Sequence, residues 1–258
     1  MSLSLAQQLG MDQSLALLLE AAAQGHMDAQ AWCGEMYHFG KGVPKDERLA
    51  FMYYKKAAQQ GHVQSQHNLG NYYREGRGFE QNYERAFEWF EKAAGQGCAN
   101  AMSSLGGLYY NGWGVPQNYK RAFELWQQSR ALGNTDPGHQ SNLGRCHENG
   151  RGVAKDYLEA RRLYKLASAQ GYAPVTDDLN RLDERICTEC PLLGKRVVVT
   201  GTSREDLNGR AGNATSFDHD RDRYVVELDG DTGHRAKEKL KLKPGHLAQV
   251  VGKRGKPR

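Results

Sequence analysis

The sequence predicts a multi-domain α + β protein: an α-α superhelix followed by a small β-barrel. Three observations carry this. Glycine-ended phrases recur about every 36 residues up to residue 171. After Pro191 the hydrophobic period changes from helical to alternating. The charge balance changes at the same place: residues 191–258 hold 15 Lys and Arg against 9 Asp and Glu, while residues 1–190 hold 20 against 21. The chain of 258 residues is 39% hydrophobic and 25% charged, enough for one or two cored domains and unlike a disordered chain. No apolar run approaches the ~18 residues of a membrane span. The opening MSLSLAQQLGMDQ has no basic stretch ahead of an apolar one, so no secretory leader is expected. Five cysteines, an odd number, argue against a disulfide framework and for a cytoplasmic setting, with the nucleus as the alternative.

The repeat justifies the helices in order. Gly25, Gly61, Gly97, Gly133 and Gly171 are spaced 36, 36, 36 and 38. Gly34, Gly70, Gly106 and Gly144 keep the same register, as do the pairs Gly40/Gly42, Gly76/Gly78, Gly112/Gly114 and Gly150/Gly152. Each unit reads as helix–turn–helix. In the first helix Ala101, Leu105 and Tyr109 recur on one face, beside Gly106. A glycine inside a helix costs about 1 kcal/mol against alanine. Its return in every unit predicts close approach of a neighbouring helix. The Gly-x-Gly pair breaks the helix in a tight turn, and Asp46, Asn82, Asn118 and Asp156 follow as N-caps. Second helices carry Ala50, Ala86, Ala122 and Ala160, with Tyr54, Phe90, Trp126 and Tyr164 four residues on to fill the core. The expected divisions are a tail over 1–12, a repeat array over 13–186, a linker over 187–193, a barrel over 194–251 and a basic tail over 252–258. Residues 13–24 and 175–186 are the end caps, the second with Leu179, Leu182 and Ile186 on its apolar side.

The pattern A-x-x-x-L-G-x-x-Y, then G-x-G-V-x-x-[DN]-x-x-x-A-x-x-[WYF]-x-x-x-A-A-x-x-G, resembles the Sel1-like repeat, which is similar to the tetratricopeptide repeat. The resemblance covers 13–186 and implies a right-handed solenoid with adaptor roles in assembly, signalling or protein quality control. Departures include Phe79-Glu80 in the second unit and His147 in the aromatic slot of the fourth.

Beyond Pro191, GKRVVVTG and DRYVVELDG read as strands, with NGRAGNATSFD and LKLKPGHLAQV supplying further short strands and turns. LNGRAGNATSFDHDRDRYVVELDG resembles small SH3-like barrels of the KOW-like kind. Such barrels bind peptides or RNA, so the resemblance speaks to fold more than to function.

Candidate chemistry is sparse. The Gly-x-Gly pairs sit between helices, outside the strand–loop–helix setting of a phosphate loop. Cys187 and Cys190 read as part of the linker; half a zinc site or a redox pair are the alternatives, each lacking its other parts. Cys33, Cys98 and Cys146 read as core. Asp218, Asp220 and Asp222 alternate as in a calcium loop, but Arg223 stands where that loop needs glycine, so a solvated turn is expected. No catalytic constellation, metal or cofactor is expected.

The candidate binding surface is the concave groove on the first helices. Trp32, Asn68, Ser104 and Asn142 recur there, with Glu35, Asn71, Gly107 and Arg145 three residues on, then His38, Arg74, Tyr110 and Glu148. From these, Trp32, Glu35, Asn68, Asn71, Arg74, Asn142 and Arg145 are the expected contacts to a protein or extended peptide. Asparagine amides can pair with a partner's backbone. The barrel is expected to be a second contact. The alternative is a nucleic-acid-associated protein that uses the basic barrel and the tail Lys253–Arg258.

Overall fold

The computed structural model describes residues 13–249, apart from 79, 201, 204, 209, 219, 220, 222 and 230–238. The tails at 1–12 and 252–258, and His219, Asp220 and Asp222 of the acidic turn, lie outside the described residues. The described residues form ten helices of the α-solenoid class and a C-terminal antiparallel sheet, in two compact units that meet in sequence at Thr135 and Asp136.

The first unit holds α1 (Gln13–Ala23), α2 (Met27–Phe39), α3 (Glu47–Gln59), α4 (Val63–Glu75), α5 (Tyr83–Gly95), α6 (Ala99–Asn111) and α7 (Tyr119–Ala131). The expected caps are in place. Asp46 Oδ1 accepts from the Arg48 and Leu49 amides at 2.9 Å, and Asn82 and Asn118 accept from Arg85 and Arg121 at 2.8 and 2.9 Å. Each such cap contributes about 1 kcal/mol. The turn ahead of each cap is closed by backbone. The amides of Asp46, Asn82 and Asn118 donate to the carbonyls of Tyr37, Tyr73 and Tyr109 at 2.8–2.9 Å. Gly40 and Gly42 both stand at φ +71°, the left-handed region that lets the chain reverse there.

The glycines inside the first helices have the predicted packing reason. A Cβ on Gly34 would lie 2.6 Å from the Tyr54 ring, on Gly70 2.6 Å from Phe90, and on Gly106 2.6 Å from Trp126. Each is the aromatic of the second helix in the same unit. The missing side chain lets that ring lie flat on the helix backbone. One core then runs from Leu15 to Leu125, filled by Tyr54, Leu69, Phe90 and Leu108. Burying one such ring removes about 150–250 Å² from water, worth about 4–6 kcal/mol before entropy costs.

The second unit holds α8 (Pro137–Asn149), α9 (Tyr157–Ala169) and α10 (Val175–Glu189), then β1 (Arg196–Val199), β2 (Ala211–Asp218), β3 (Arg223–Leu228), β4 (Lys239–Leu242) and β5 (Leu247–Gln249). The fourth repeat keeps the rule: a Cβ on Gly144 would sit 2.5 Å from Tyr164, and Asp156 caps α9 through the Leu158 and Glu159 amides at 3.0 Å. The cap helix runs on to Glu189, past the expected 186. Cys190 and Leu193, in the stretch read as a linker, are buried.

The strands are antiparallel in the order β4-β3-β2-β1-β5. β3 alternates cleanly, with Tyr224, Val226 and Leu228 inward, and β2 carries a bulge between Ala214 and Ser216. The expected closed barrel is not what is found. Among the described residues the outer strands, four-residue β4 and three-residue β5, do not pair with each other, so the sheet is open. The buried side chains of the sheet, Val197, Val199, Val226 and Leu228 among them, belong to one hydrophobic cluster with Tyr164, Val175 and Leu182 of the helices. Among the described residues no helix is long and apolar enough to cross a membrane.

Candidate protein-binding face

In the first unit, five of the expected contact residues gather on one face because the 36-residue period puts them at the same helical positions. Glu35, Asn68, Asn71 and Arg74 line a cleft of about 370 Å³ between α2 and α4, together with His38 and Tyr72. Trp32 lines a second cleft of about 170 Å³ that shares Glu35, Tyr54, Gln64 and Asn68 with the first. Trp32 is 58% exposed and Phe39, on the same helix, 61%. Aromatic side chains are enriched at contact surfaces relative to the rest of a protein's exterior.

The polar groups of the face are held but not locked. Asn68 Oδ1 accepts from Gln64 at 3.1 Å, and Asn71 lies 3.3 Å from His67 Nε2. Glu35 bridges Lys41 at 2.9 Å, and Glu75 bridges Arg74 at 2.7 Å and Arg77 at 2.5 Å. Exposed pairs of this kind contribute about 0–1 kcal/mol each, so a partner's charges can replace them at little cost. Burial pushes the Glu75 carboxyl up, but the bonds from Arg74 and Arg77 outweigh it and hold it below the usual carboxylate range. Sequence reasoning gave His67, a histidine at a repeat-linked position, no role on this face. Burial, with Arg74 nearby, pulls its pKa down to about 4, so it is a neutral imidazole at pH 7 and an acceptor or donor for Asn71, Gln64 and Ser104. His38 is held below the ordinary histidine range by burial and by Arg77 and Lys45, and its Nδ1 meets the Tyr72 hydroxyl at 2.7 Å.

Paired glutamines stitch the first two units. Gln30 donates to the Ala22 carbonyl at 3.1 Å and accepts from Gln60 at 2.7 Å. Gln66 and Gln96 repeat this one unit on, with Gln66 donating to Ala58 at 3.2 Å. The third unit has Met102 and Leu132 at these positions, and Ser129 supplies the bond instead, donating to the Ala99 carbonyl at 2.7 Å. The 36-residue spacing of the glutamines and their joint replacement were the signals available in the sequence.

In the second unit Asn142 and Arg145 lie half-buried on α8. Arg145 is engaged within the chain, donating from Nη2 to Asp178 Oδ2 at 2.9 Å. Glu148 is 1% exposed; it accepts from the Tyr164 hydroxyl at 2.7 Å and from Arg185 at 2.9 Å. With Arg181, which bridges Asp178 on its own helix at 2.7 Å and Glu148 at 3.6 Å, this network fastens α10 to α8 and α9. Arg185 also donates to the Tyr157 hydroxyl, which in turn donates to Glu189.

Of the cysteines, Cys33 and Cys146 are core, their thiols pushed up by burial to about 11 and about 12 and so unreactive. Cys98 is half-buried, Cys187 exposed and Cys190 buried, and all five are free thiols. Among the described residues no cluster of three His, Cys, Asp or Glu side chains is placed to hold a metal.

A family model for the Sel1 repeat matches residues 11–26, 28–62, 63–98, 99–134 and 140–172, in the frames of the helix pairs described above. Among solved structures, the chain is similar to a Sel1 repeat protein from Oxalobacter formigenes: 30% identity, TM-score 0.59, 72% of each chain covered. It is also similar to c5321, a protective antigen of uropathogenic Escherichia coli strains with an SLR fold, at 31% identity and TM-score 0.58. That match covers 68% of this chain and 37% of the antigen, so the chain spans little more than a third of its length. No curated protein sequence matches the chain significantly. Sel1 repeat proteins generally mediate protein–protein interactions, and the family is typically non-enzymatic. On the matched repeats and the geometry they share, the chain belongs to the Sel1 repeat family.

Proposed function

We propose that the protein is a non-enzymatic adaptor that holds an extended segment of another protein against α2 and α4, with the C-terminal sheet as a second contact. The observation that carries this is the pair of adjoining clefts, lined by Trp32, Glu35, Asn68, Asn71 and Arg74, whose shared wall offers amides beside exposed aromatic surface. Amides satisfy a peptide backbone whatever its sequence, and the aromatics select apolar side chains between those bonds. Asn142 and Arg145 belong to the same reading as contacts made by the second unit. An SH3-like identity for the sheet is supported by its strand order and by the 3-10 turn Pro244–His246 between β4 and β5.

A peptide selected for binding from a random display library supplies the test. Asn68→Ala with Asn71→Ala is expected to weaken it about 10-fold or more, with circular dichroism unchanged; unchanged affinity would sink the reading. The nucleic-acid alternative draws on the basic excess of residues 191–258. It requires oligonucleotide binding that collapses between low and moderate salt.

A further inference from the structure

A further cleft, of about 240 Å³, opens in the second unit where the segment after β1 faces β3, β4 and the turn before β5. Arg223, Lys241, Lys243 and His246 line one side, and Leu207 and Leu242 give it an apolar lining. Among the described residues no carboxylate lines it. β3 and β4 pair with Tyr224 opposite Leu242 and Val225 opposite Lys241. β4 is an outer strand of the sheet and ends at Leu242, so the cleft lies where the strand stops: Lys241 and Leu242 reach it from the last two residues and Lys243 from the turn that follows.

The facing wall is preorganised. Asn208 Oδ1 accepts from both the amide and the hydroxyl of Thr202 at 3.0 Å, and its Nδ2 donates back to the Thr202 carbonyl at 3.0 Å. Leu207, next in the chain, is buried at the base of that wall. A wall already ordered costs little further entropy when a ligand binds. Lys241 leans on Asp218 at 3.1 Å, an exposed and weak pair; among the described residues Arg223 and Lys243 carry no such bridge. The cleft therefore presents concentrated positive charge beside the half-buried Leu242, with Leu207 beneath.

We propose that this cleft docks an acidic, leucine-bearing peptide segment of a partner protein, whose carboxylates meet Arg223, Lys241 and Lys243 while an aliphatic side chain packs against Leu207 and Leu242. The lining favours a peptide over nucleic acid. Single-stranded nucleic acid is held by aromatic faces that stack with bases. Among the described residues no Phe, Tyr or Trp lines this cleft, whose one ring is the small imidazole of His246, and the nearby ring pair Phe217 and Tyr224 is turned on itself at 4.7 Å, with Tyr224 buried. Guanidinium and ammonium groups beside leucine fit carboxylates interleaved with aliphatic side chains.

The experiment uses the full chain and a fluorescein-labelled octapeptide alternating leucine with glutamate, followed by anisotropy. Binding is expected at about 50 mM salt and is expected to weaken about 10-fold at about 300 mM, as screening predicts for exposed charges. Lys241→Glu with Lys243→Glu is expected to lower affinity at least 10-fold; both side chains are exposed, so circular dichroism should be unchanged. Lys243→Arg should retain binding, and Asn68→Ala with Asn71→Ala should leave it untouched. A peptide with serine for leucine should bind more weakly. The proposal is overturned if the octapeptide does not bind, if the charge reversal has no effect, or if an oligothymidine binds more tightly and displaces the peptide.

Discussion

Two adjacent glycines of α6 should respond in opposite directions to the same substitution. A Cβ on Gly106 would lie 2.6, 2.8 and 3.0 Å from Nε1, Cδ1 and Cε2 of Trp126, a ring that is 1% exposed. The ring cannot retreat freely, because its Nε1 donates to the Ser103 carbonyl at 3.0 Å. Overpacking of this kind costs about 1–3 kcal/mol. Straining the indole hydrogen bond adds about 1 kcal/mol. Against these stands the gain of about 1 kcal/mol from replacing a mid-helix glycine with alanine. Gly106→Ala should therefore destabilise by about 1–3 kcal/mol. A Cβ on Gly107 meets nothing within 4 Å, so Gly107→Ala should keep the propensity gain and stabilise by about 0.5–1 kcal/mol. At about 2–4 °C per kcal/mol for a chain of this size, thermal melts should move down for the first and up for the second. Trp126→Leu should recover part of the loss in the Gly106→Ala background. Shifts of the same sign, or a neutral Gly106→Ala, would refute the claim that these glycines exist to admit a ring.

Two further outcomes follow from the same contacts. Protonating His67 requires charging a buried imidazole: its folded pKa of about 4 lies below the ordinary 6.5, so its contribution is complete above pH 6.5 and is lost as the pH falls towards 4. Between about pH 7 and about pH 5 this amounts to about 2 kcal/mol, and His67→Gln should remove that slope from urea midpoints measured at the two pH values. Glu148→Leu takes the shared acceptor from Tyr164 and Arg185 and should cost about 3 kcal/mol in urea unfolding, whereas Tyr164→Phe should cost about 1. A Glu148→Leu loss under about 1 kcal/mol would mean the network is ornamental.

The repeat was legible because its strongest signals are local. A cap needs only its own helix, and Asp46, Asn82, Asn118 and Asp156 cap as their positions required. The glycine–aromatic contacts join residues only 20 apart within one unit, so the recurrence of both was enough to pair them. The glutamine ladder was not legible because glutamine on a helix reads as solvated surface, and its 36-residue recurrence was the one signal it carried. The burial of Asp178 and Glu148 was not legible, because their arginine partners include Arg181 and Arg185 of α10, a helix outside the repeat and invisible to self-comparison. Alternation in β3 announced a strand, but closure depends on which distant edges pair, and β4 and β5 carry no pattern that decides it. Of the candidate surface, Trp32, Glu35, Asn68, Asn71 and Arg74 reached one face through shared helical phase, whereas Arg145 is held in an ion pair that periodicity does not encode.

Amide chemical-shift mapping with a display-selected peptide tests the central claim, that α2 and α4 form the contact surface, most directly. Perturbations centred on residues 32, 35, 68, 71 and 74 are the predicted result. Perturbations centred on the α3 and α5 helices around Met52 and Trp89, with the α2 and α4 amides unmoved, would contradict it.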